Sequence, residues 1–379
     1  MKYSIIILLV LGVFYSCQHQ ETIKVLQNEE DSKIKVGVFK GNGAGAVSVI
    51  ETIEALKIDT GIWAVPISAA EIQNGALENF DAIIIPGGSG SKQLNNLGES
   101  GADKLREFVT EKGKGIVGIC AGAYFLSSTS GYPNLHIASS IHLDRAHYNR
   151  GRGLVQFATT EKGNKIFPEL AAKNTFLQYY DGPVLAQSDS TSGDYTELGT
   201  FVSDIHPDDF APKGFTPGKT FLLNEEVGNG RVFLCAGHPE STPGMRWMIP
   251  RMIRWVCKSN LVSYNSKWIR PEINDKEIIF DRDLKKYEKS LFWKLFSNDA
   301  SEQISAMDSL YSLRSRPAVR WSIGLLRSEK PEVRKHAAAL LMKTEYSDAL
   351  PDLRVALKVE NNDDVKESIK TTIDFLENK

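Results

Sequence analysis

From residue 34 the chain alternates short, wholly apolar runs with longer stretches that place apolar residues every three or four positions. Residues 34–40, 62–67, 81–85 and 115–119 read as strands, and 47–56, 102–111 and 121–127 carry helical spacing. Strands that are apolar throughout, rather than at alternate positions, are buried on both faces, which points to a parallel sheet covered by helices. Residues 131–230 have a different texture. Strand candidates at 176–180, 196–205 and 219–225 lie between Gly, Pro and Asp signals, as expected for antiparallel additions to the same domain. Residues 231–236 return to the buried-strand pattern and lead into a helix ending near 257.

From 260 to 298 the composition turns charged and aromatic, which suggests a linker that packs against a neighbour. Beyond it, Pro317-Ala318-Val319-Arg320 and Pro331-Glu332-Val333-Arg334 each open an apolar helical stretch, and Asp364-Val365-Lys366 begins a third. Repeated helix starts of this kind suggest a small all-α module of HEAT type, whose helices bury their apolar faces against one another and offer a surface to a protein partner. An irregular helical cap is the alternative.

The first residues add an address. Lys2 precedes an apolar run from Ile5 to Phe14, and Ser16 stands directly before Cys17. A span needs about 20 apolar residues, more than this run has. The segment resembles a bacterial lipoprotein signal, in which cleavage exposes Cys17 for lipidation; an ordinary signal peptide is the alternative. The expected divisions are therefore 1–16 signal, 17–33 lipidated tether, 34–258 main domain, 259–299 linker and 300–379 helical module. The expected location is the cell envelope, lipid-anchored at the periplasmic face or outer membrane of a bacterium, with the anchor as the sole membrane contact.

Composition narrows the function. The 379 residues are 42% hydrophobic and 24% charged, enough for more than one core. A formal charge of -2 gives no surplus of Lys and Arg for a phosphate backbone, which argues against nucleic acid. Apart from Cys17 there are Cys120, Cys235 and Cys257, an odd number without CxxC spacing, so neither a disulfide framework nor a zinc site is implied.

Gly118-Ile119-Cys120-Ala121-Gly122 has the G-x-nucleophile-x-G form of an elbow, where small flanking residues permit a strained turn from strand to helix. A thiol there meets the positive end of a helix, which favours thiolate. His238-Pro239-Glu240 follows another buried strand and offers a general base with a carboxylate to orient it. In a parallel sheet the groups just past the carboxyl ends of strands gather at one edge, so the two motifs can converge. Pro86-Gly87-Gly88 reaches that edge too, and its backbone N–H groups with that of Ala121 suit an oxyanion hole.

In this order, with the elbow reading GICAGAYF, the chain resembles the class I glutamine amidotransferases and, among them, the biotin-protein ligase N-terminal domain family. Gly41-Asn42-Gly43-Ala44 and Gln178-Tyr179-Tyr180-Asp181-Gly182-Pro183 support that choice. The resemblance covers about residues 34–257 and says nothing of the tail. It implies a flavodoxin-like α/β fold, a parallel sheet sandwiched by helices. It also implies Cys120 as nucleophile, His238 as base, Glu240 as its orienter, Gly88 and Ala121 as oxyanion donors, and a substrate pocket drawing on Asn42, Gly43, Gly87, Tyr180 and Asp181. No GRGRRGR-like segment for biotinyl adenylate and no synthetase domain follows, so neither biotinylation nor ammonia transfer is expected.

Two other readings are weaker. Gly41 to Ala46 also fits the dinucleotide fingerprint, but the second strand ends on Val65-Pro66-Ile67-Ser68, without the acidic residue that would hold a ribose, so no cofactor is expected. His142, Asp144 and His147 lack a second cluster of ligands, so no metal is expected; nearby Arg150 and Arg152 suggest an anionic substrate. The expectation is a cysteine-dependent hydrolase acting on an amide or acyl bond of a small molecule or peptide. The alternative is a non-catalytic binding protein that reuses the fold and docks a partner with its tail.

Overall fold

The computed structural model describes residues 33–188 and 193–377; the signal-like segment and Cys17 lie outside them. The first part is a run of strand-helix units: β1 (Ile34–Phe39), α1 (Ala46–Leu56), β2 (Ile62–Ile67), α2 (Ala69–Gln73), β3 (Ala82–Ile85), α3 (Gly90–Thr110), β4 (Gly115–Ile119) and α4 (Ala121–Leu126). Ser68 caps α2 through a reciprocal capping box with Glu71. The α3 segment begins well before the expected residue 102 and is broken at Gly98, whose φ of 68° leaves the helical region.

Next come β5 (Ser140–His142), β6 (Arg152–Thr159), α5 (Glu161–Ile166), β7 (Thr175–Tyr180), β8 (Leu185–Gln187), β9 (Thr196–Phe201), β10 (Thr220–Val227), β11 (Gly230–Cys235), α6 (Met248–Val256) and the two-residue β12 (Ile278–Ile279). Among the described residues twelve strands share one mixed sheet. β2, β1, β3, β4 and β11 lie side by side and parallel, and from β11 outward through β10, β9 and β6 the pairing turns antiparallel. The additions expected over 131–230 thus continue the main sheet.

Alternate residues of β3 enter opposite cores. Ala82 and Ile84 pack with α1 and α6, while Ile83 and Ile85 pack with α3 and α4. A strand buried on both faces can afford no polar position, which is why β3 reads as an unbroken apolar run. β6 is harder to see in the sequence because Gly151 and Gly153 look like turn signals. Gly153 is instead a strand glycine: a Cβ there would sit 1.8 Å from the Ile278 carbonyl oxygen, so glycine is what lets β12 pair along β6.

The tail consists of α7 (Arg282–Lys294), α8 (Ala300–Ser312), α9 (Arg316–Leu325), α10 (Pro331–Lys343), α11 (Leu350–Val359) and α12 (Asp363–Glu377), packed around a core of their own. The starts expected at Pro317, Pro331 and Asp364 fall within a residue of α9, α10 and α12. Residues 259–299, expected as a linker, are themselves structure. Trp268 is buried in the main core, Ile278 and Phe280 join Leu154 and Phe176 in a small cluster that also takes in Leu284 and Leu313, and α7 belongs to the helical module. These apolar anchors are the packing that the charged and aromatic composition suggested.

Candidate active site

The parallel strands deliver their loops to one edge. β4 and β11 pair in register, Ile119 opposite Cys235, and the N–H of Cys120 donates to the Cys235 carbonyl at 2.8 Å, which sets the 120 and 238 turns side by side. Cys120 has φ 52° and ψ -104°, a conformation that non-glycine residues rarely adopt, as at a nucleophile elbow. Its glycine neighbours are needed sterically. A Cβ on Gly122 would lie 2.0 Å from the Ile85 carbonyl oxygen, and one on Gly118 would lie 2.6 Å from that of Gly122. The helix that follows, α4, has only six residues, so its dipole is a smaller aid to a thiolate than a full-length helix would give.

His238 and Glu240 stand beside this thiol. His238 Nδ1 and Glu240 Oε1 are 2.7 Å apart, both side chains are buried, and the His238 N–H donates to the Gln178 carbonyl at 2.7 Å. With Nδ1 engaged by Glu240, Nε2 is the nitrogen left for the side-chain contact to Cys120. Burial by itself would depress the imidazole, but the Glu240 carboxylate, with Cys120 beside it, outweighs burial and holds His238 up at about 9. Burial likewise opposes ionisation of Glu240, and His238, Arg316 and Ser48 reverse that, so its carboxyl titrates below the usual range. The Cys120 thiol has a second partner, the Tyr180 carbonyl, to which it donates at 3.2 Å.

The Pro86-Gly87-Gly88 turn closes the edge. Among the described residues the N–H groups of Gly88 and Ala121 have no hydrogen-bond partner, and both residues line the cavity above Cys120. Ser48, at the start of α1, ties this turn to the base: its hydroxyl accepts from the Gly87 N–H at 3.0 Å and donates to Glu240 Oε1 at 2.8 Å. The turn is clasped from outside by the loop after β1, where Gly45 N–H donates to the Gly87 carbonyl and Ser89 N–H to the Gly43 carbonyl, each at 2.8 Å. A Cβ on Gly88 would sit 2.1 Å from that Gly43 oxygen. The small residues of 41–46 therefore serve a close approach of two loops, which accounts for the dinucleotide-like pattern without a nucleotide.

The cavity encloses about 740 Å³. Gly87, Gly88, Cys120, Ala121, Tyr180, Asp181 and His238 all line it, whereas Asn42 and Gly43 do not: Asn42 is bonded through its N–H to Asn96, and Gly43 stands behind the 86–89 turn. Tyr180 and Asp181 arrive because the end of β7 crosses the active edge and bridges to His238 at Gln178. The opposite wall was not foreseen as such. His142 makes edge-to-face contacts with Tyr124 and Tyr132 at 4.7 and 4.6 Å, the two tyrosine rings lie tilted at 6.0 Å, and Arg145 and Tyr148 complete the lining. His142 bonds to the Thr129 hydroxyl at 2.8 Å, and burial with nearby Arg145 lowers it to about 4, so it is neutral at pH 7. His147 turns to Asp144 at 2.7 Å, and among the described residues no group of three His, Cys, Asp or Glu side chains converges on a metal position. Arg150 and Arg152, considered for an anionic substrate, are engaged by Asp144 and Glu288 respectively. Ser48 and Arg316 carry no local motif; they follow only from the folded chain.

The fold and this constellation define an amidotransferase-like α/β domain with an attached helical module. The family pattern of the biotin-protein ligase N-terminal region matches residues 34–254, more than half of the chain, and the chain belongs to that family. A HEAT-repeat pattern matches residues 289–373, beginning inside α7. No curated protein matches. Among solved structures, a cytoplasmic protein from Salmonella typhimurium is 14% identical with a TM-score of 0.38, the match covering 61% of this chain and all of that one. A β-galactosidase from Bacillus circulans sp. alkalophilus is 15% identical with a TM-score of 0.36 over 60% of this chain, which spans only 31% of that enzyme's length.

Proposed function

We propose that the protein is an exported cysteine-dependent hydrolase that cleaves an amide or related acyl bond of a small molecule or peptide, with Cys120, His238 and Glu240 as its triad. The observation that carries this reading is the buried Glu240–His238 pair beside a thiol on a strained elbow, with the imidazole held near 9 so that it is protonated at neutral pH. A thiolate paired with an imidazolium is the reactive form of a catalytic cysteine. The Cys120 sulfur would attack the substrate carbonyl carbon, and the developing oxyanion would take hydrogen bonds from the free N–H groups of Gly88 and Ala121. His238 would hand its proton to the leaving amine as the C–N bond breaks, leaving a thioester on Cys120. Water would then attack that thioester, giving its proton to His238, releasing the acid and restoring the thiolate–imidazolium pair. Such a protein would work in the cell envelope, anchored by lipid on Cys17; acyl mass on the mature N-terminus, lost in Cys17→Ala, would support the anchor, and an unmodified soluble form would refute it.

The activity is tested by trapping. The mature protein is incubated with a panel of peptide amides and with envelope extract, acid-quenched, and digested for mass spectrometry. An acyl adduct on the Cys120 peptide, absent from Cys120→Ala, is the expected result. If no adduct forms and Cys120→Ala binds the same extract components as wild type, the protein is a binding module that keeps the fold without the chemistry.

A further inference from the structure

The turn between α8 and α9 is gripped on several sides, by β7 of the main domain, by residues 273–274 and by α7. Gln178 Nε2 donates to the Arg314 carbonyl at 2.9 Å, and the Arg314 guanidinium donates to Asn274 Oδ1 at 3.2 Å and to the Ile273 carbonyl at 2.5 Å. Ser315 donates to Glu288 at 2.6 Å, the same carboxylate that pairs with Arg152 of β6. Gln178 is also the residue whose carbonyl receives the His238 N–H, so one position on β7 fixes both the base and the incoming turn. The grip delivers Arg316, the first residue of α9. Its Nη2 lies 2.5 Å from Glu51 Oε2 and 3.8 Å from Glu240 Oε1, its guanidinium lies 5.7 Å from the Tyr180 ring centre, and it lines the cavity that holds Cys120.

A clasp between two parts of a chain would be complete with Glu51 alone. Facing Glu240 does something more. Glu240 is fully buried, and among the described residues its Oε2 has no hydrogen-bond partner. A buried carboxylate needs a cation beside it, and His238 stops being one whenever it gives up its proton. Arginine stays charged at any pH the protein meets.

We propose that the helical module contributes a positioning residue to the active site: Arg316 holds Glu240 ionised and oriented through the proton-transfer cycle and adds a fixed positive charge to the Cys120 cavity. The inference rests on the triad reading above, and it makes the module an integral part of the catalytic unit. The test uses the full-length mature protein and iodoacetamide, following the Cys120 peptide from pH 5 to 10 and taking the pH at which its alkylation rate is half-maximal. His238→Ala serves as the benchmark for the triad itself. Removing a cation disfavours a nearby anion, so Arg316→Gln is expected to move the half-maximal pH upward by about 1 unit. Arg316→Lys, which keeps the charge, is expected to stay within about 0.3 unit of wild type. Glu51→Gln, which frees Arg316 from its other carboxylate, is expected to move it downward, and it carries the test should Arg316→Gln fail to fold. If His238→Ala shifts the profile while Arg316→Gln and Glu51→Gln leave it in place, Arg316 is only an interdomain clasp and the inference fails with the triad intact. If His238→Ala itself shifts nothing, the triad reading has failed first.

Discussion

The two sides of the cavity are built on opposite plans. On one side, Cys120, the 86–88 turn and His238 stand at the ends of parallel strands and are fixed by backbone geometry: a strained φ at Cys120, glycines pressed against carbonyl oxygens, and an in-register pair between β4 and β11. On the other, the helical module is fixed by side-chain contacts, among them Arg152–Glu288, Arg316–Glu51 and the Glu345 cluster. The first plan tolerates almost no change of shape but needs few polar partners. The second tolerates changes of shape but depends on buried charges finding each other. Damage should therefore look different on the two sides.

The largest effect is expected on the strand-end side. Gly122→Ala drives a methyl to 2.0 Å from the Ile85 carbonyl oxygen, with backbone on both sides of the clash. It should lower stability by about 3 kcal/mol or more, read from urea unfolding, with loss of soluble protein as the extreme case. A variant as stable as wild type would show that the elbow is looser than its contacts imply.

On the opposite side, Glu345 has no solvent exposure. It accepts from the Gly244 N–H at 3.0 Å and pairs with Arg270, while its own carbonyl accepts from Arg246. Breaking a buried pair by removing one member costs roughly 3 kcal/mol or somewhat more. Glu345→Ala is expected to loosen the module, so that trypsin cuts within 259–299, where wild type resists. Equal resistance in both would mean that other contacts suffice to hold the module.

This contrast also explains what could be read from the sequence. The strand-end side was legible because each functional group sits directly after an apolar run, so position along the chain and position in space coincide at β3, β4 and β11. Asn42 and Gly43, which the family resemblance implied for the pocket, do not line it, since their loop clasps the 86–89 turn from behind. The other side was opaque for a physical reason. Arg316 lies 196 positions from Cys120 in the chain, is preceded by nothing more telling than Ser315, and acquires its meaning only through the grip on the α8–α9 turn. That the 259–299 segment packs was legible in its charged and aromatic composition, but where it packs was not, because Trp268, Ile278 and Phe280 are apolar anchors set singly among charges, with no period to reveal them.

Ser48 joins the two halves of the strand-end side, and its loss should be milder. Ser48→Ala removes one bond to Glu240 and one to the Gly87 N–H, worth about 1–2 kcal/mol together, and should slow Cys120 alkylation at neutral pH a few-fold. Unchanged alkylation would show that Glu240 is oriented by His238 and Arg316 without it. A pH dependence of stability is expected as well. Because folding raises His238 to about 9, its contribution is complete below about pH 6.5, the ordinary histidine value, and is lost as pH rises through 9. Melting temperature should accordingly fall between pH 7 and 9.5 in wild type, and less so in His238→Gln; parallel curves would remove the thiolate–imidazolium pair from the account.

The central claim is that Cys120 is chemically distinct from the other thiols. Burial pushes Cys257 up to about 12 and raises Cys235 as well, and neither has a histidine partner. The most direct measurement is peptide-resolved iodoacetamide labelling of the native protein at pH 7, in wild type and in His238→Ala. Cys120 is expected to react at least tenfold faster than Cys257 and Cys235, and His238→Ala to slow Cys120 by a similar factor without changing the other two. A Cys120 that reacts no faster than Cys257, or that ignores the loss of His238, would contradict the account.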